Sequence, residues 1–161
     1  MVRYEGKTVV SLNINGEVRQ VMVRPSDLLL DVLREQLGLT AAKPGCKNGD
    51  CGACTMVIDG WPTKSCLVLA VEAENHVILT LEGLGGRAAV QQAFVDANAF
   101  QCGYCTSGFL MVCHALKKQH PVLPEEHVME EWLQSNICRC TSYQEIRNAV
   151  KIMYERDQSR I

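Results

Sequence analysis

The chain has 161 residues, of which 47% are hydrophobic and 21% are charged, and its net charge is −2. This length suits one medium domain or two small ones, and the composition is that of a folded soluble protein. The near-neutral charge, with basic residues scattered along the chain, argues against nucleic-acid binding. No apolar stretch approaches the roughly 20 residues of a membrane span, and the amino terminus lacks a secretory signal. We therefore expect a cytoplasmic protein.

Residues 8–23 have the pattern of a β-hairpin. Val10, Leu12 and Ile14 alternate with polar residues, as in a strand with one buried face. The dipeptide Asn15-Gly16 follows, and it accepts the positive φ angles of a type I′ turn. The sequence therefore predicts two antiparallel strands at the start of the fold.

A helix is predicted after the hairpin. We expect Ser26 or Asp27 to cap its amino terminus. Gly38 suits its carboxyl end, because glycine readily adopts the left-handed conformation that follows a last helical turn. The apolar positions repeat with the helical period: Leu28, Leu29, Val32, Leu33 and Leu37.

Residues 43–54 form a segment in which three glycines stand among three cysteines. A flexible surface loop is one interpretation of this segment. A loop wrapped around a metal cluster is the other, because glycine lets the backbone approach closely and backbone N–H groups can then point at sulfur. We favour the second interpretation.

Further short strands are predicted after this loop. Residues 55–58 and 61–65 lie on either side of Asp59-Gly60, and residues 77–79 offer a last strand. Hairpin, helix, cysteine loop and strands together predict a small α+β domain. Residues 83–86 are rich in glycine but lack the surroundings of a phosphate-binding loop, so we interpret them as a linker.

Helical periodicity replaces the strand pattern beyond the linker. Apolar residues mark four short helices, around residues 90–95, 109–116, 128–133 and 146–153. Four such helices predict a bundle. One pair of cysteines precedes the second helix and another precedes the fourth, where the positive end of the helix dipole favours thiolates.

Eight of the nine cysteines fall into two sets of four. The first set opens with C-x4-C-x2-C, the plant-type spacing for a [2Fe–2S] cluster. The second set combines C-x2-C with C-x-C, and on spacing alone it fits a structural zinc site as well as an iron–sulfur cluster. We expect no disulfides, because cytosolic thiols stay reduced. The first set is Cys46, Cys51, Cys54 and Cys66, and the second is Cys102, Cys105, Cys138 and Cys140.

The ninth cysteine, Cys113, shares the helical phase of Phe109 and Leu116. A small buried hydrophobe is the predicted role, and a redox-sensing thiol is the alternative. No general acid, base or nucleophile is apparent along the chain. The histidines show no common ligand spacing and are interpreted as surface or packing residues: His76, His114, His120 and His127.

Three segments match known motifs, in order along the chain. Residues 45–55 read GCKNGDCGACT, similar to G-C-x-x-G-x-C-G-A-C-T. Residues 101–108 read QCGYCTSG, similar to Q-C-G-[FY]-C-T-P-G, and residues 136–143 read NICRCTSY, similar to N-[LI]-C-R-C-T-G-Y. These are motifs of the molybdenum hydroxylases. The chain therefore resembles the small iron–sulfur subunit of an enzyme of the xanthine dehydrogenase or carbon monoxide dehydrogenase type.

The resemblance implies an α+β fold in two parts. A plant-ferredoxin-like (β-grasp) [2Fe–2S] domain is expected over residues 1–82, and an all-α four-helix-bundle [2Fe–2S] domain over residues 83–161. The resemblance also implies partners: a large molybdopterin-binding subunit and, as is usual in the family, a medium subunit that binds FAD. The chain would relay single electrons from the molybdopterin centre through two [2Fe–2S] clusters toward FAD or another acceptor.

The resemblance also assigns roles to site residues. Gln101 and Cys140 match the residues that contact the molybdopterin, although from its own surroundings Gln101 reads as a surface or capping amide. No catalytic residue is expected, because the substrate site lies on another chain. The molybdenum-proximal cluster would be held by Cys102, Cys105, Cys138 and Cys140, and the flavin-proximal cluster by Cys46, Cys51, Cys54 and Cys66.

Three positions depart from the family pattern. Ser107 stands where proline is usual, Ser142 where glycine is usual, and Ser135 where glycine is common. None of the three is a ligand, so we expect cluster binding to be intact. The details of the second cysteine loop are the part that these changes affect.

Two other functions compete with the electron-relay subunit. The chain could be an independent ferredoxin-type carrier, although its near-neutral charge lacks the acidic docking face expected of one. It could also be a zinc-stabilised interaction module without redox activity. Visible absorption and electron paramagnetic resonance (EPR) separate iron–sulfur clusters from zinc.

Overall fold

A computed structural model describes residues 6–141 and 143–158 of the chain. Its architecture is α+β, with a mixed sheet in the amino-terminal half and helices in the carboxy-terminal half. The strands are β1 (Thr8–Ile14), β2 (Glu17–Val23), β3 (Thr55–Ile58), β4 (Trp61–Lys64) and β5 (Val77–Leu79). The α-helices are α1 (Leu29–Glu35), α2 (Ala89–Asp96), α3 (Thr106–Gln119), α4 (Glu126–Leu133) and α5 (Gln144–Gln158).

The predicted hairpin is confirmed. Strands β1 and β2 pair antiparallel, and Asn15 and Gly16 both have positive φ angles, 55° and 86°, as a type I′ turn requires. The alternation also holds, since Val10 is buried whereas its neighbour Val9 is exposed. The hairpin forms one edge of a five-stranded sheet with the order β2-β1-β5-β3-β4. Only the β1–β5 pair among these strands is parallel.

Helix α1 starts later than the sequence predicts. Its N-cap is Leu28, in extended conformation and without a side-chain cap, so the expected cap by Ser26 or Asp27 is wrong. The Asp27 carboxylate instead accepts the Arg24 backbone N–H at 2.8 Å. Leu28 is held extended by a β-bridge to Leu69, and this bridge delays the helix. Beyond the carboxyl end, Gly38 adopts the predicted left-handed conformation, with φ 69°.

The strand predicted over residues 61–65 ends one residue early. Strand β4 stops at Lys64, and the chain enters a short 3-10 helix, Ser65–Leu67. The Ser65 hydroxyl donates to the Cys54 carbonyl at 2.8 Å. This turn therefore fixes the position of Cys66 beside the loop that carries the other cysteines of its set.

Among the described residues of the carboxy-terminal half there are four α-helices, as the periodicity predicts. Helix α2 packs against α5, and α3 contacts both α2 and α4. Their buried residues form a core separate from that under the sheet. The linker expected at residues 83–86 is partly helical, since Gly83 and Leu84 end a 3-10 helix that begins at Leu81.

The two halves share a buried contact along α3 and β3. Val57 of β3 packs with Met111 and Ala115 of α3. Beside them, the indoles of Trp61 and Trp132 stack with ring centroids 6.2 Å apart. No helix within the described part of the chain is long and apolar enough to cross a membrane.

Candidate metal centres

The first cysteine set lies mainly on the glycine-rich loop between α1 and β3. The backbone packs so closely there that a Cβ on Gly45 would lie 2.6 Å from the Cys51 sulfur. A side chain at Gly49 would collide with Leu67, which follows Cys66. The glycines thus permit the close wrapping of the loop around its own sulfurs that the sequence predicts.

Backbone N–H groups surround the outer sulfur of this set. The Cys51 N–H donates to the Cys46 sulfur at 3.4 Å. Hydrogen bonds from the backbone of Cys51, then Asn48 and Asp50, lower the pKa of Cys46 to about 6. These donors favour a thiolate, which is the form that binds iron.

The inner sulfurs of the first set are buried. Cys54 and Cys66 are both nearly inaccessible and lie within hydrogen-bonding reach of each other, so burial and the neighbouring Cys54 thiol raise the pKa of Cys66 to about 11. The first set therefore divides into two pairs, an outer pair of Cys46 with Cys51 and an inner pair of Cys54 with Cys66.

The second set is assembled from two segments that are distant in sequence. The sulfurs of Cys102 and Cys140 lie 3.6 Å apart at the surface. Cys105 and Cys138 form the inner pair, and burial, followed by the neighbouring Cys138 thiol, raises the pKa of Cys105 to about 12. As predicted, Cys102 and Cys105 precede α3, and Cys138 and Cys140 precede α5, so each pair of neighbouring sulfurs takes one cysteine from each segment.

Thr141 supplies hydrogen bonds to the inner pair of the second set. Its N–H and hydroxyl donate to the Cys138 sulfur at 3.3 and 3.0 Å. Burial acts to raise the pKa of Cys138, but the hydrogen bonds from Thr141 and from the Cys140 backbone outweigh it, and the pKa is lowered. This sulfur is therefore prepared as a thiolate ligand.

The arrangement fits binuclear iron–sulfur clusters better than single metal ions. Tetrahedral zinc needs four ligands converging on one point, with sulfur at about 2.3 Å. Within residues 6–141 and 143–158, no three His, Cys, Asp or Glu side chains are grouped to hold one ion. Each set instead presents two pairs of thiols, which suits two irons with two thiolates each. All nine cysteines are free of disulfides.

The two cysteine sites touch each other, a contact that the sequence pattern does not reveal. The Ile137 N–H, one residue before Cys138, donates to the Cys51 carbonyl at 2.9 Å. The Tyr143 hydroxyl accepts the Cys138 N–H at 3.0 Å and donates to the Asn136 carbonyl at 3.3 Å. Motif matching marks Asn136 and Tyr143 as conspicuous positions but gives no indication of these bonds.

The remaining predicted positions are placed as follows. Gln101 is exposed, next to the exposed Cys102. Ser107 is buried, and its hydroxyl has no hydrogen-bond partner among the described residues. The Ser135 hydroxyl donates to the Trp132 carbonyl at 2.7 Å and so caps the end of α4. Ser142 lies outside the described residues.

Cys113 is fully buried in the helical core, as its helical phase predicts. Burial raises the pKa of this thiol to about 12. The histidines are dispersed as the sequence indicates. His76 pairs with Asp59, and the ring of His120 meets Trp132 edge-on.

Comparison with known proteins identifies related chains over nearly the whole length. A family described as "2Fe-2S iron-sulfur cluster binding domain" matches residues 12–80, and one described as "[2Fe-2S] binding domain" matches residues 80–151. The nicotinate dehydrogenase small FeS subunit of Eubacterium barkeri is 42% identical, over 93% of this chain and 97% of the relative. The xanthine dehydrogenase iron-sulfur-binding subunit of Escherichia coli O157:H7 is 43% identical, over 88% and 91%.

Solved structures show the same similarity. The crystal structure of quinoline 2-oxidoreductase from Pseudomonas putida 86 includes a chain that is 40% identical to this one. The two superpose with a TM-score of 0.88, over 95% of this chain and 97% of the other. A fold and a sequence shared to this extent place the two chains in one family.

Proposed function

This chain belongs to the family of small iron–sulfur subunits of molybdenum hydroxylases, and we propose that it is the electron-transfer subunit of such an enzyme. In this role it relays single electrons from a molybdopterin centre on a large subunit, through two [2Fe–2S] clusters, toward FAD or another acceptor. The chain is thus part of an oxidoreductase, while the substrate site lies on its partner.

One observation carries the proposal: two four-cysteine sites, each divided into two pairs of sulfurs, lie in direct backbone contact. The Ile137 N–H that bonds to the Cys51 carbonyl joins a residue beside the second site to a ligand of the first. Contact between the two sites suits a one-electron relay, because its centres must be close together.

The proposal assigns each cysteine set to one cluster. When bound, a [2Fe–2S] cluster accepts and releases one electron at a time. The backbone donors around Cys46 and the Thr141 donors to Cys138 stabilise the thiolate form of the ligands. The flavin-proximal ligands are Cys46, Cys51, Cys54 and Cys66, and the molybdenum-proximal ligands are Cys102, Cys105, Cys138 and Cys140.

The exposed edge of the second site suits contact with the large subunit. Cys102 and Cys140 are both exposed there, and the large apolar side chains of Phe100, Tyr104 and Ile137 are exposed as well. Exposed apolar groups of this size favour a protein interface. We assign Gln101 and Cys140 to the molybdopterin contact on this edge, and we expect a permanent interface of about 2,000 Å² or more.

The domain boundaries follow the same proposal. We assign residues 1–82 to a ferredoxin-like [2Fe–2S] domain and residues 83–161 to a helical [2Fe–2S] domain. Two observations support this division: the two family matches meet at residue 80, and the buried residues form separate cores on either side. We further infer that α2–α5 form a four-helix bundle and that the complex works in the cytoplasm.

Purification of the chain from its native source tests the proposal. We expect it to elute with a large subunit that contains molybdenum, and we expect two distinct [2Fe–2S] signals by EPR after reduction with dithionite. A chain that elutes alone with both signals would be an independent carrier. A colourless chain containing zinc would rule out the electron-relay function altogether.

The substrate is not assigned to this chain. Its relatives carry the names of nicotinate and xanthine dehydrogenases at nearly equal identity. Because similar small subunits occur in enzymes that act on different substrates, the small subunit does not determine the substrate. We therefore expect specificity to reside in the large subunit, whose sequence is the one to determine.

A further inference from the structure

A single buried side chain joins the two cysteine sites. Asn136, which is 1% exposed, precedes Cys138 by two residues but extends its carboxamide into the loop of the first site. Its Nδ2–H donates to the Gly52 carbonyl at 3.2 Å, and its Oδ1 lies 3.2 Å from the Thr55 hydroxyl. Gly52 lies between the ligands Cys51 and Cys54.

The Gly52 peptide is enclosed from two sides. A Cβ on Gly52 itself would overlap the Asn136 carboxamide. A Cβ on Gly108, in the first turn of α3, would overlap the Gly52 carbonyl oxygen and lie 2.8 Å from Asn136 Nδ2. The first-site loop is therefore held between Asn136 and the helix that follows Cys105. We call Gly52, Thr55, Gly108 and Asn136 the Asn136 junction.

The hydrogen bonds fix which way the carboxamide points. The Gly52 carbonyl can only accept, so the nitrogen of the Asn136 side chain must face it. The Thr55 hydroxyl donates to the same carbonyl at 2.7 Å. The backbone carbonyl of Asn136 accepts from the Tyr143 hydroxyl, which itself accepts the Cys138 N–H. Asn136 is thus bound to the first site by its side chain and to the second site by its backbone.

We propose that Asn136 is a positioning residue for electron transfer between the two sites, in that its carboxamide sets their separation and relative orientation. The inference rests on the proposed function, because it concerns the placement of the two clusters. Asn136 ligates neither cluster, and its side chain bonds to the Gly52 backbone and to the hydroxyls of Thr55 and Ser135. Its removal should therefore change the interaction between the clusters before it changes either cluster alone.

The Asn136→Ala variant of the native complex tests this role. The magnetic interaction between two reduced clusters falls with the cube of their separation, so it reports placement directly. We expect both [2Fe–2S] signals to persist in the variant, with a reduced spin–spin splitting and slower relaxation, and a lower rate of electron transfer between the sites. Both clusters at full occupancy with unchanged splitting would overturn the inference.

Asn15→Ala is the matched control. The Asn15 side chain also makes two hydrogen bonds across the fold, from its Nδ2–H to the Thr80 hydroxyl at 3.0 Å and from the Thr80 N–H to its Oδ1 at 2.8 Å, and these bonds involve neither cysteine site. We expect this variant to keep the splitting of the unaltered protein. An equal change in both variants would mean that general loosening of the fold is responsible, and this result would also overturn the inference.

If the Asn136→Ala variant fails to load its clusters, Thr55→Val tests the positioning role instead. Valine matches the shape of threonine at this buried strand position, but it cannot donate to Gly52 or to Asn136. We expect a smaller change of the splitting in the same direction, and an unchanged splitting would contradict the inference. If the unaltered protein lacks two cluster signals, the proposed function fails instead, so the two failures are distinguishable.

Discussion

The two cysteine sites present similar pairs of thiols from different kinds of backbone. Three cysteines of the first site stand on one glycine-rich loop, and the fourth, Cys66, is on a turn beside it. The second site joins the segment before α3 to the segment before α5. The first site is therefore local and depends on how closely its backbone can wrap. The second depends on helices that must pack before its cysteines can meet.

Replacement of a buried cluster ligand should have the largest effect. Each replacement should abolish one cluster and leave the other. Cys54→Ser should abolish the first cluster and leave the second, whereas Cys138→Ser should do the reverse. Serine binds iron less well than thiolate, which is the usual ligand of these clusters. EPR of each reduced variant gives the result, with the other variant as its control. Loss of both signals in Cys54→Ser would contradict the independence of the sites.

A smaller but selective loss is expected from Gly45→Ala. The added Cβ would lie 2.6 Å from the Cys51 sulfur, so the first site should lose most of its cluster while the second is retained. Iron content and the two EPR signals measure this loss.

Gly103→Ala is the corresponding control in the second site. Gly103 has a φ of 81° but no atom within 4 Å of an added Cβ, so this variant introduces backbone strain of about 1 kcal/mol without a collision. Both clusters should persist. If Gly103→Ala depleted its cluster as fully as Gly45→Ala does, close wrapping would not distinguish the first site.

Helix packing should matter more for the second site. Arg147 of α5 forms two hydrogen bonds with Glu130 of α4, one of them 2.9 Å long, on the two helices that flank Cys138 and Cys140. Glu130→Gln should lower the free energy of unfolding by about 1 kcal/mol, and on warming the second signal should be lost before the first. Asp31→Asn, which breaks the exposed Lys47–Asp31 pair near the first site, should change neither signal.

The stabilisation by the Glu130–Arg147 ion pair should depend on pH. Hydrogen bonding to Arg147 holds the pKa of Glu130 below its ordinary value. The stabilisation is therefore present above the ordinary carboxyl pKa and is lost as the pH falls through the lowered one. Thermal melts at decreasing pH should show the unaltered protein approaching the stability of Glu130→Gln. Curves that stay parallel down to acid pH would contradict this coupling.

The smallest effect is expected at Cys113, the cysteine that belongs to neither site. Burial raises the pKa of its thiol to about 12, so it should resist alkylation at neutral pH while the chain is folded and react once the chain unfolds. Cys113→Ala should leave both EPR signals unchanged. Labelling of Cys113 in the folded, fully loaded protein would instead support the redox-sensing alternative.

The same contrast explains how much of the fold and site could be predicted from the sequence. Local features could be predicted from the sequence: the Asn15-Gly16 turn, the periodicity of the four later helices, and the cysteine spacing of the first loop. The start of α1 was not, because the β-bridge from Leu28 to Leu69 overrides the local capping preference. The contact of Asn136 with Gly52 was also inaccessible, since it depends on how the two halves pack and leaves no periodic signal.

The most direct test of the account is a reductive titration of the purified complex, followed by EPR spin counting. If each cysteine set holds one [2Fe–2S] cluster, about four irons are expected per chain. Two distinct signals should then appear in successive one-electron steps and reach one spin each. A single signal, or a silent protein that contains zinc in place of iron, would contradict the claim that this chain carries two redox centres in contact.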